Sequence, residues 1–125
     1  MQDCTITLTT TTDEREFHTV RKGKMRIEGC GVRLFYTEEN ACVNISVFNN
    51  EAILERKGDY DLYLTLREGE HAKGVLGFGG SEGEIETYAQ KIVYSARKDS
   101  VLLSLQYSLL IGGEEQKMKL RLLAK

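Results

Sequence analysis

Apolar and polar residues take turns along most of this chain. In "CTITLTTTT", residues 4–12, Ile6 and Leu8 share one face while Thr5, Thr7 and Thr9 share the other. In "DLYLTLR", Leu62, Leu64 and Leu66 oppose Tyr63, Thr65 and Arg67. In "VLLSLQYSLL", Val101, Leu103, Leu105, Tyr107 and Leu109 oppose Ser104, Gln106 and Ser108. In "QKMKLRLLAK", Met118, Leu120 and Leu122 oppose Lys117, Lys119 and Arg121. Successive side chains on a strand point to opposite sides, so each segment buries one face and wets the other. Turn signals break the pattern at Gly29-Cys30-Gly31, Asn49-Asn50, Gly58-Asp59, Glu68-Gly69, Gly79-Gly80, Lys98-Asp99 and Gly112-Gly113. No segment has a helical period of useful length.

The spacing predicts strands over 3–12, 15–28, 32–38, 41–48, 51–57, 60–67, 71–78, 83–96, 100–111 and 115–125. The fold class is therefore all-β: a single domain over 1–125, with roughly eight to ten antiparallel strands joined by hairpins. Sequential hairpins favour an up-and-down β-barrel, because closure removes edges that this proline-free chain does not guard. Alternation alone leaves a sandwich open. Two segments slip in parity. Phe17 and Val20 stand on opposite faces of one strand, and Ile85, Thr87 and Ala89 give way to Ile92 and Tyr94 in another. Each slip predicts a β-bulge.

Composition narrows the function classes. The chain has 125 residues, enough for one core. Its net charge of −2 supplies no overall field for nucleic acid or an anionic membrane. Its apolar runs are far too short to span a bilayer as a helix. The N-terminus lacks a basic segment followed by an apolar one, so a cytoplasmic location is expected. Three cysteines, Cys4, Cys30 and Cys42, without a C-x-x-C pair read as reduced thiols, buried or half-buried.

The order of several segments carries a resemblance. "EREFHT" precedes a glycine turn and "VRLFYTEE"; then come "AILERKG", "GEIETYA" and "LLSLQYSLLIGGEEQKMKL". Over nearly the whole chain this is similar to the YwiB-like family of small bacterial proteins. The resemblance implies a calycin-like (lipocalin-like) β-barrel and no established activity. It also sets Tyr36 and Glu38 on a family Tyr-x-Glu and Arg56 and Gly58 on an Arg-x-Gly. Gly83 takes the place of a glycine ending a turn that often carries proline and an aromatic; the turn here, "GGSEG", has neither.

Chemistry is sparse. The glycine cluster "GVLGFGGSEGEIE" begins a dinucleotide pattern at Gly77 and Gly79, but Glu82 stands where the third glycine belongs. The strand pattern that follows offers no helix N-terminus to a phosphate. His18 and His71 lie in no metal-ligand spacing and read as surface residues; no cofactor and no metal is expected. The cations of "RKGKMR" and "KMKLRLLAK" fall on wet strand faces, where they can pair with Glu84 and Glu86. They lack interleaved aromatics, which counts against nucleic acid.

The sharpest constellation is Tyr36, Glu38 and Arg56. Glu38 shares parity with inward Val32, Leu34 and Tyr36, and Arg56 with Ala52 and Leu54. These residues are expected to meet at the barrel mouth, with Tyr107 also inward. They form either a structural ion pair or a polar anchor for a small, partly apolar or anionic ligand. The leading expectation is thus a non-enzymatic module that binds a small ligand in the barrel or its mouth. The alternative is a homodimeric assembly domain with a packed barrel and no ligand. An enzyme using Glu38 or a histidine as base stands third.

Overall fold

The computed structural model describes residues 1–13 and 15–125, and the alternating segments become ten antiparallel strands. They are β1 (Gln2–Thr12), β2 (Arg15–Glu28), β3 (Gly31–Glu38), β4 (Ala41–Phe48) and β5 (Glu51–Gly58), then β6 (Asp61–Arg67), β7 (His71–Phe78), β8 (Ser81–Arg97), β9 (Ser100–Ile111) and β10 (Glu114–Ala124). Each predicted segment has its strand, with ends displaced by two residues at most. Every strand pairs with its neighbours in sequence, and β1 also pairs with β10, so the sheet closes and the sandwich falls away. Ten strands exceed the eight of a lipocalin barrel. The calycin likeness thus lies in the closed meander, not in strand number.

Inward rows from all ten strands fill the barrel. Ile6, Met25, Leu34, Ile45, Leu64, Leu66, Ile85, Leu103, Leu105 and Leu122 are each almost wholly withdrawn from solvent, and Leu76 of β7 packs against them. Each such side chain contributes roughly 1.5–3 kcal/mol by leaving water. Thr87 is also buried, and its hydroxyl donates to the Thr65 carbonyl at 2.7 Å.

The glycine cluster is a hairpin. Gly79 and Gly80 both take positive φ, 59° and 83°, the combination that matches a two-residue turn to the twist of its strands. β8 starts at Ser81, so Gly83 lies inside the strand opposite Leu76 and ends no turn.

Of the two expected bulges, one exists. In β8 the pairing with β9 steps between Ala89 and Lys91, leaving Gln90 as the extra residue. Ile85, Thr87 and Ala89 face inward before it and Ile92 after it. β2 has no bulge: its registers with β1 and β3 run unbroken. The parity conflict there has another cause. β2 pairs with β3 only over residues 23–28, so residues 15–22 have β1 as their one neighbour. Both faces of that stretch are wet, and Phe17 and Val20 are 52% and 67% exposed. At the junction, a Cβ on Gly23 would run into the Phe35 carbonyl oxygen and lie 2.7 Å from Ile6 Cδ1. Glycine lets β3 meet β2 there.

Candidate functional site

The connections after β1, β3, β5, β7 and β9 gather at one end of the barrel, the mouth. Cross-strand register brings the expected residues to it. Tyr36 on β3 lies opposite Val43 on β4, and Val43 lies opposite Arg56 on β5. Tyr36 and Arg56 thus flank one inward valine, and Glu38 stands one inward position nearer the rim. Tyr107 enters from β9, opposite Ala89 and Met118.

Arg56 organises this end. Its Nη1 donates to the Tyr60 carbonyl at 2.6 Å and its Nη2 to Asp59 Oδ1 at 2.7 Å. The guanidinium lies 3.7 Å from the centre of the Tyr60 ring. Its Nε stands 3.5 Å from Glu38 Oε2, too poorly aligned for a hydrogen bond, and finds no other acceptor. The Arg56 side chain is only 13% exposed, against 35% for Glu38 and 55% for Asp59. The next turn is tied in as well: the Gly58 amide donates to Asp61 Oδ1, and the Asp59 amide to the Asn40 carbonyl.

These contacts set the electrostatics. Desolvation works against the charge of Arg56, but the bond to Asp59 and the neighbouring Tyr60, Asp59 and Glu38 raise its pKa overall. The same bond holds the Asp59 carboxyl below the usual carboxylate range. Burial pushes the Tyr107 phenol up to about 12. Burial also raises Tyr36, and the nearby Glu38 and Tyr107 add to the rise, while Arg21 and Arg56 oppose it. Tyr36, Glu38, Arg56 and Tyr107 therefore form one cluster, joined by Arg21.

Arg21, Asp59 and Tyr60 were missed in the sequence. Arg21 carries the signal of inward parity with Gly23 and Met25. Asp59 and Tyr60 follow Arg56 across a tight turn, so their positions depend on that turn rather than on any strand pattern.

The remaining candidates scatter. His18 is exposed and shares a 3.1 Å hydrogen bond with Thr9 Oγ1, while His71 packs against Tyr88 on the outer wall. Cys30 and Cys42 are exposed, contrary to the expectation of burial, because Cys30 lies in a turn and Cys42 faces outward on β4; only Cys4 is half-buried. Glu84 does pair with a lysine, but with Lys73 of β7 at 3.2 Å and not with the β10 cations. β9 separates β10 from β8.

The opposite end is stitched by side chains. Glu68 accepts from the Ile92 amide at 2.7 Å beside the β8 bulge, and the Tyr94 hydroxyl donates to the Cys30 carbonyl at 3.2 Å. No group of three or more metal-ligating side chains is assembled among the described residues. Among the described residues no helix is long and apolar enough to cross a membrane.

Comparison with known proteins agrees with the fold. The solved structure of the ywiB protein from Bacillus subtilis superposes with a TM-score of 0.87 at 14% identity, covering 99% of this chain and 91% of that one. No curated protein matches the chain significantly. The model of a domain of unknown function, DUF1934, matches residues 4–122, and the chain belongs to that family.

Proposed function

We propose that this chain is a non-enzymatic assembly module, a packed barrel that pairs with a second copy of itself through the open edge of β2. The observation that carries this reading is that residues 15–22 have a strand neighbour on one side only, with Phe17 and Val20 exposed beside the free edge. An unpaired edge is a template for strand addition.

Symmetry narrows the register. A sheet continuing across a two-fold axis normal to it keeps inner faces together, so paired residue numbers sum to an even number. Centred on His18, the pairing sets Arg15 against Arg21 and Glu16 against Val20. Centred on Thr19, it sets Phe17 against Arg21, His18 against Val20 and Glu16 against Lys22, each twice. The second register brings opposite charges and a cation with an aromatic together, and it is the one proposed.

Glu16→Lys and Lys22→Glu each turn two attractive pairs repulsive. At roughly 0.2–1 kcal/mol per cross-strand pair, each raises the dimer Kd several-fold. The double variant restores the wild-type Kd in sedimentation equilibrium. A double variant no tighter than either single one overturns the register; wild-type protein without dimer overturns the assembly.

A ligand at the mouth is a second reading. A ligand inside the barrel would have to displace packed side chains, so any small anionic or partly apolar ligand belongs at the rim. The buried Arg56 Nε–H without an acceptor, beside Tyr36, favours this reading. Native mass spectrometry tests it: a co-purifying small molecule lost in R56M supports it, and a bare chain mass counts against it.

A further inference from the structure

The outer wall of β8, β9 and β10 carries a group of cations that the mouth does not use. Register places Lys91, Gln106 and Lys119 in one cross-strand row, and Ser104 and Arg121 side by side in the next. With neighbouring strands about 4.8 Å apart, Lys91 and Lys119 start roughly 10 Å apart, within reach of a group held over Gln106. Together with Leu102 these residues line a depression of about 340 Å³. On the wall formed by β5, β6 and β7, Lys57, Arg67 and Lys73 pair with Glu55, Glu51 and Glu84. None of Lys91, Lys119 and Arg121 has an acidic partner among the described residues. The nearest carboxylate along β10, Glu115, is held by the Ser108 hydroxyl at 3.1 Å.

The bulge builds this site. Gln90 is the extra residue of β8, and Lys91 follows it. Were Gln90 paired in regular alternation, Lys91 would continue the inward row of Ile85, Thr87 and Ala89; the bulge takes up Gln90 and leaves Lys91 facing outward. Bulges commonly re-aim a side chain in this way.

We infer that this depression is an anion site for a phosphate monoester of a small molecule. Three cations match a dianion better than a single carboxylate, and the Arg121 fork suits phosphate oxygens. The Gln106 amide and the Ser104 hydroxyl supply neutral donors from the floor. Leu102, 49% exposed, offers an apolar wall to the organic part. The inference does not rest on the assembly reading, since β1 lies between this wall and the β2 edge.

Inorganic phosphate is titrated into the full chain at constant ionic strength, followed by amide NMR. The expected result is saturable shifts at Lys91, Gln106 and Arg121, with a Kd raised at least tenfold in K119Q/R121Q and unchanged in K57Q. Shifts that never saturate, or that sodium chloride reproduces, overturn the site. So does unaltered binding by K119Q/R121Q. Length-dependent binding of single-stranded oligonucleotides without any response to phosphate assigns the wall to a polyanion and also overturns the inference.

Discussion

Replacing Arg56 with Met removes the guanidinium while keeping most of the stem. Its Nη1 bond to the Tyr60 carbonyl, at 2.6 Å, is charge-assisted and worth roughly 1.5–3 kcal/mol. Its position over the Tyr60 ring, at 3.7 Å, adds roughly 0.5–1 kcal/mol. Asp59 and Glu38 are open enough that water replaces Arg56 around them, so they add little to the loss. R56M is therefore expected to lose about 2–4 kcal/mol. R56K loses an intermediate amount, because one ammonium cannot bond the turn and lie flat on the ring together. Lys73→Met breaks the exposed pair with Glu84 and costs at most about 1 kcal/mol. The chain has no tryptophan, so urea unfolding is followed by far-UV circular dichroism. With a urea m-value of about 2 kcal/mol/M, R56M moves the midpoint down by about 1–2 M. An R56M midpoint matching that of the Lys73 variant would refute the structural role of Arg56 and leave its guanidinium free for a ligand.

Two further perturbations separate structure from site. Deleting Gln90 removes the extra residue and leaves a regular strand, with Ala89 inward opposite Tyr107, Lys91 outward opposite Gln106 and Ile92 inward opposite Leu105. The deletion is expected to keep a cooperative melt and to cost about 1 kcal/mol, as is Gln90→Ala, since both lose the bond to Ser108 at 2.9 Å; a deletion variant that no longer melts cooperatively would sink the register assignment. Burial raises the Tyr107 phenol from an ordinary value near 10 to about 12, so the fold favours the protonated form. Its contribution, roughly 2–3 kcal/mol, is whole below about pH 10 and drains away as pH rises through 12. Unfolding free energy measured from pH 9 to 12 should fall less steeply in Y107F than in wild type, and parallel slopes would contradict this.

Much of the fold is legible in the sequence because one simple rule governs it. A closed meander has one wet face and one dry face on every strand, so parity in β6, β9 and β10 reads directly as in or out. The slip from Ala89 to Ile92 reads correctly as a bulge for the same reason. The slip in β2 does not, since parity carries burial information only where both neighbours are present, and residues 15–22 have one. Nothing in the local pattern of "EFHTVRK" states how far β3 extends. The mouth is half legible: Glu38 and Arg56 betray themselves as charges on inward rows, whereas Asp59 and Tyr60 reach Arg56 through turn geometry. The outer cations show as a basic stretch, but their company depends on strand order. Glu84 and Glu86 are one strand too far from β10 to neutralise them.

The central claim, that a packed barrel offers the β2 edge to its own copy, is tested most directly by sedimentation equilibrium of the unmodified chain across the micromolar range. The account predicts a concentration-dependent species of twice the 14.1 kDa chain mass. A single species at the chain mass throughout would contradict it.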